Sequence, residues 1–220
     1  MDSETLTNKL HGLIIELERL KHGLTALATV DIDRYPDNYK TLSTDLAIRM
    51  EDIACKFRHI IYSTGFVKKA VLMCNAAEAH GIHIETEADL IQVTMPSVMP
   101  KRKYRNNEFL TEPLHYALNE YTARNPLRKF KECVVCFSHI HSWELGRRYV
   151  RDFDNFELKR ILDIIAVYVM EDDSGLLCDA YSTSEFGEKD CTVITIMTNE
   201  SFPAWLKEHN SRIKNISDFY

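Results

Sequence analysis

No stretch of this chain is apolar for long enough to span a bilayer. Its first residues, MDSETLTNKL, lack the charged-then-apolar order of a secretory signal. Both absences lead to the expectation of a cytoplasmic protein with no membrane partner. Internal repeats and low-complexity tracts are also missing, and the apolar and charged contents are those of a globular chain rather than a disordered or fibrous one. Positive charge is short overall. A net charge of −6 argues against bulk binding of nucleic acid unless the cations are gathered in one region. The six cysteines (Cys55, Cys74, Cys133, Cys136, Cys178 and Cys191) lie in apolar segments, so they read as reduced, buried residues and not as a disulfide scaffold. Cys133 and Cys136 invite a zinc reading together with His139 and His141. No second cysteine pair completes such a site, and strand residues three apart face opposite sides.

What is present is an uneven distribution of charge and period. From Ile91 to Arg160 thirteen basic residues stand against eight acidic ones, so the acidic excess lies elsewhere. At 220 residues the chain can form one large domain or two small ones around a real core. Leu6, Leu10, Leu13, Leu17, Leu20 and Leu24 recur at steps of three and four, an apolar helical seam. DIDRYPDNYK breaks it with proline and turn formers. Leu42, Leu46, Met50, Ile53, Phe57 and Ile60 mark a second helix, and a third runs from about Phe66 to His80 with Gly81 as its C-cap. Residues 1–81 therefore read as a helical hairpin plus one helix, an interaction or dimerisation module whose partner the sequence leaves unknown.

After Gly81 the period becomes two. GIHIETEADLIQVTMPS predicts a β-hairpin, TEPLHYALNEYTAR a helix with Pro113 in its first turn, and ECVVCFSHIH a strand. Leu158, Ile161, Leu162, Ile165 and Val169 give another helix its buried side. LLCDAY and CTVITIM predict a closing pair of strands, and FPAWLKEHNSRI a terminal helix. The expected fold is α/β (α+β): a small mixed sheet with packed helices over residues 82–220, preceded by the all-helical module.

The chemistry centres on VRDFDNFELKRIL. Asp152 and Asp154 point the same way in an extended approach to the helix. EDDSG follows about 22 Å of helix later and can return Asp172 and Asp173 to the same neighbourhood. Carboxylates converging without a cation would raise one another's pKa, and an oxygen-rich cluster of this kind suits Mg²⁺. The plainer alternative is that Asp154 caps the helix, Asp152 is solvated and DDSG is a turn. Arg147, Arg148 and Arg151 lead into the aspartates, as a phosphodiester substrate would require. KRKYR adds Lys101, Arg102, Lys103 and Arg105, with an aromatic that can stack on an unpaired base.

RDFDN, then LD, then DDSG and a closing strand pair resemble the RusA-like Holliday junction resolvases, small dimeric Mg²⁺-dependent endonucleases. The resemblance runs from about Leu90 to Met197 and includes the order of elements and the separation of D-x-D-N from D-D. It implies that Asp152, Asp154 and Asp173 bind the metal (Mg²⁺, with Mn²⁺ as a substitute), that Asn155 and Asp172 support them, and that Arg151 faces the phosphate backbone. It further implies a homodimer acting on branched DNA in recombination and repair, in a bacterial or phage-borne setting. One position departs. The family's essential lysine falls on Leu158, and Lys159 is one residue later. A one-residue insertion in the helix would restore Lys159 to that catalytic role; otherwise Lys159 pairs with Asp163 at i,i+4. In the second case the protein would be a catalytically weak or inactive DNA-binding or scaffolding relative.

Overall fold

A computed structural model describes residues 1–87, 89–97, 108–145, 150 and 158–217. The described residues form a mixed α+β structure of six α-helices and one five-stranded sheet, and none of those helices is long and apolar enough to cross a membrane. The chain divides into two compact units, Met1–Leu72 and Met73–Tyr220.

The first unit is an antiparallel helical hairpin. Helix α1 (Ser3–Ala28) starts where Asp2 accepts a hydrogen bond from the Thr5 amide at 2.8 Å, satisfying one of the amides a helix start leaves open. In the break after it, Asp31 accepts from the amides of Asp33 and Arg34, and α2 (Pro36–Ser63) then begins with proline at its first position. Lys56 of α2 holds both oxygens of Glu16 of α1 at 3.0 Å, and Leu46 packs against Gly23, which fixes how the two helices are aligned. Only Leu13, Leu20, Leu46 and Ile60 are buried along the whole hairpin. The leucine seam is thus half covered: Leu17, Leu24, Met50 and Phe57, expected on buried faces, remain exposed because α2 closes only one side of the stripe.

Helix α3 (Lys69–His80) crosses the division between the units, so the compact boundary falls inside this helix and not after it. Its end is a Schellman closure. Gly81 adopts φ +77°, its amide donates to Glu78, and the Ile82 amide donates to Ala77.

In the second unit β1 (His83–Glu87) and β2 (Leu90–Met95) form the expected hairpin, with Ile84 opposite Val93. Helix α4 (Glu108–Arg124) begins earlier than the sequence implied, so Pro113 lies inside it rather than in its first turn. Strand β3 (Cys133–Ser142), helix α5 (Lys159–Val169), strands β4 (Cys178–Gly187) and β5 (Cys191–Met197) and helix α6 (Phe202–Ser217) follow. The sheet order is β1-β2-β5-β3-β4. Strands β4 and β5 were expected to pair with each other. Instead both pair with β3: β4 runs parallel to it, with Cys133 opposite Cys178, and β5 antiparallel, with Phe137 opposite Ile194. The reason is burial. Strand β3 is covered almost throughout, and its near-continuous apolar run is stable only between two neighbours. The β3–α5–β4 passage is consequently a crossover connection.

One sheet face, carrying Val93, Met95, Val135, Phe137, Ile194 and Ile196, packs on Leu110, Leu114 and Leu118 of α4 and on Ile161, Ile165 and Val169 of α5. The other face places Val134, Cys136 and Met197 with Tyr181 and with Phe202 and Trp205 of α6. Cys133 belongs to the first cluster and Cys136 to the second, so the two thiols face opposite ways as their spacing required.

Candidate functional site

The segment after α5 is anchored to the loop before β3. Phe130 donates its amide to Val169 and accepts from the Glu171 amide, at 2.8 and 2.9 Å. Lys129 reaches the Val167 carbonyl at 2.7 Å, a cation on the open carbonyls of a helix end. Asp172 then accepts from the Ser174 amide at 3.3 Å, and the amides of Leu177 and Cys178 both donate to the Ser174 carbonyl. This turn delivers the chain into β4. It holds Asp172 and Asp173 beside the solvent-facing side of α5.

The result is a cavity of about 460 Å³ whose charged lining is Lys129, Lys159, Asp163, Glu171, Asp172 and Asp173. Lys159 is exposed and donates to Asp163 at 3.1 Å. That hydrogen bond, then the Asp163 charge, and with them the charge of Asp173, raise the Lys159 ammonium above the ordinary lysine range. Lys159 and Asp173 were predicted together from sequence, and they share this cavity. Asp163 appeared in the sequence only as the alternative partner of Lys159, and it holds that ion pair here. Glu171 and Lys129 were not singled out, although Glu171 heads the EDDSG motif.

A second cavity, of about 430 Å³, shares Lys129 and Glu171 with the first. Its cations Arg128, Lys129 and Lys131 are interleaved with Asp89, Glu132 and Glu171, so its lining is mixed in sign rather than uniformly positive.

The other predicted site residues, namely Asp152, Asp154, Asn155, Lys101, Arg102, Lys103, Arg105, Arg147, Arg148 and Arg151, lie outside the described residues. Among the described residues no group of three or more His, Cys, Asp or Glu side chains is placed to hold a metal ion. For Mg²⁺ they supply Asp173 and its acidic neighbours, which is short of a ligand set.

His139 and His141, two residues apart in β3, lie on one face of the strand, and both are buried. His139 Nδ1 lies 3.3 Å from the Thr192 hydroxyl, which itself donates to the Ser97 carbonyl. Burial, with the neighbouring His141, pushes the His139 imidazole down to about 4. It is therefore a neutral interior group at physiological pH and not a cation for a phosphate.

Fold and site together define a mixed α+β protein with a helical hairpin and a cavity where lysines meet a run of carboxylates. Residues 2–220 match a family described as a family of unknown function, DUF6100, and the chain belongs to it. No curated protein matches the chain. The family match runs through both compact units.

Proposed function

We propose that this protein is a RusA-like endonuclease that hydrolyses phosphodiester bonds in branched DNA with the help of Mg²⁺. The observation that supports the reading is the shared cavity of Lys159 and Asp173, two residues fourteen positions apart that belong to one site of the resemblance if a one-residue insertion in the helix gives Lys159 the family lysine's role. Asp173 and its neighbour Asp172 lie in the segment between α5 and β4, and the Lys159 ammonium lies within the field of Asp173. In such a site a divalent cation supplies charge neutralisation and a water of lowered pKa. The chain's own part is simpler. Lys159 offers a positive charge to the non-bridging phosphate oxygens, Asp173 presents carboxylate oxygens, and the Lys129 hydrogen bond to Val167 keeps the two walls together.

The Lys159–Asp163 pair favours a second reading, a relative that binds branched DNA or acts as a scaffold without cutting. A lysine engaged by its own helix is less available to a phosphate.

The deciding experiment is cleavage of a labelled four-way junction beside a matched linear duplex, with Mg²⁺, for the wild type, Asp154→Asn, Asp173→Asn and Lys159→Ala. Junction-selective cutting that drops by about a hundredfold or more in each variant is the expected outcome, since each removes charge that acts on the transition state. Junction binding without cutting, unchanged in all variants, would establish the scaffolding reading instead.

A further inference from the structure

The helical hairpin leaves its better apolar surface open. Leu10, Ile14 and Leu17 of α1 and Met50, Ala54 and Phe57 of α2 line a groove of about 640 Å³ with almost no polar lining besides Glu51. On the hairpin Ile14 is 50% exposed, Leu17 45%, Met50 47% and Phe57 45%. Isolated exposed apolar residues are ordinary, but a contiguous stripe spanning two helices is the mark of a contact surface.

The groove is two helices wide and runs from Leu10 to Leu20 on α1, about 15 Å at 1.5 Å per residue, and from Met50 to Phe57 on α2. A second hairpin presents a stripe of the same length and width, so like can cover like.

The charges beside the groove select the occupant. One turn beyond Ile14 and Leu17 on α1 stand Glu18 and Lys21, and around Ala54 on α2 stand Glu51 and Arg58. The Glu16–Lys56 pair and the Gly23–Leu46 contact set the alignment within the hairpin, and by it Lys21 is level with Glu51. Turn a copy by 180° about an axis parallel to the helices, and each α1 lies on the copy's α2 with levels preserved. Lys21 then meets Glu51 of the second copy, and Glu18 lies toward its Arg58. The order of charges along one edge is opposite to that along the other, and an isologous pair uses each contact twice. Glu51 is already half-buried, and that burial holds its carboxyl above the usual carboxylate range despite the attraction of Arg58.

We infer that the exposed groove between α1 and α2 is the binding surface for the same hairpin of a second copy of this chain, closing a four-helix bundle with α1 antiparallel to the partner copy's α2. The surface lies within the first unit and is read by mass, so it stands or falls separately from nuclease activity.

The test is sedimentation equilibrium of the full chain from 1 to 50 µM. Twice the monomer mass is expected for the wild type, and the monomer mass for Ile14→Glu combined with Phe57→Glu, with far-UV circular dichroism unchanged because both sites are on the surface. Lys21→Glu or Glu51→Lys alone should weaken association by about tenfold, and the two together should restore it to within a few-fold. These surface swaps keep the inference open to refutation even if the glutamate pair disturbs folding. A monomeric wild type at 50 µM would overturn it, as would a dimer indifferent to Ile14→Glu with Phe57→Glu. Failure of the double swap to restore association would overturn the α1-on-α2 arrangement.

Discussion

His139 couples the stability of the sheet to pH. Its side chain is fully buried beside Thr192, and its imidazole titrates at about 4 in the folded chain against about 6.5 when exposed. A depressed histidine pKa means that the folded state disfavours the charged form, so its stabilising contribution is whole above pH 6.5. It is lost as pH falls from there toward 4. The difference of roughly 2.5 units corresponds to on the order of 3 kcal/mol. Urea denaturation midpoints measured from pH 7 to 4 should therefore decline in the wild type and decline less in His139→Gln. The same scale explains the inert cysteines. Burial pushes the Cys133 and Cys136 thiols up to about 12, so neither offers thiolate near neutrality. A brief N-ethylmaleimide pulse at pH 8, read by mass spectrometry, should leave both unmodified in native protein and label both after denaturation. The opposite facing of these two cysteines was legible from their spacing in a strand. The burial of His139 was not, because alternation places it on a face without saying how far along the strand that face stays covered.

The elements followed from periodicity wherever one face is apolar and the other polar. Helix α5 is the clearest case: Ile161, Ile165 and Val169 mark it in the sequence and form its buried side in the fold. Ile165 is wholly enclosed between α4 and the sheet, so Ile165→Ala should destabilise the protein by about 2–5 kcal/mol, visible as a lowered denaturant midpoint with an unchanged slope. The end of α3 was legible through a different signal, the glycine after its last turn. Gly81 has open space where a side chain would go but holds φ +77°, so Gly81→Ala should cost about 1–2 kcal/mol from backbone conformation alone. What periodicity could not supply was pairing. Strands β4 and β5 are separated by only three residues, Glu188–Asp190, which reads as a hairpin turn. The tertiary preference of β3 for two neighbours overrode that local reading. The candidate site was legible in the same partial way: the sequence brought Asp173 and Lys159 together through a resemblance. Glu171 and Lys129 entered the cavity through the Phe130–Met170 bridge, a long-range contact with no local signature.

Across the whole molecule, local stability should follow the depth of the sheet. Strands β3 and β5 are buried on both faces and flanked on both sides, whereas β1 is exposed along most of its length. Native-state hydrogen exchange should accordingly find the slowest amides in β3 and β5 and faster ones in β1 and around the exposed Leu176. A pattern in which β1 exchanges as slowly as β3 would mean that the outer strand is covered in solution.

The central position of β5 also governs how the protein can be made. Strand β2 waits for a partner that is about a hundred residues further along the chain, and β3 lacks its antiparallel neighbour until that same segment has left the ribosome. A nascent chain stopped before Cys191 can pair β1 with β2 and β3 with β4, but it lacks the strand that joins the two pairs into one sheet. The sheet is completed only when β5 is available. Truncated products should be recognised by chaperones or proteases rather than persist as partly folded proteins.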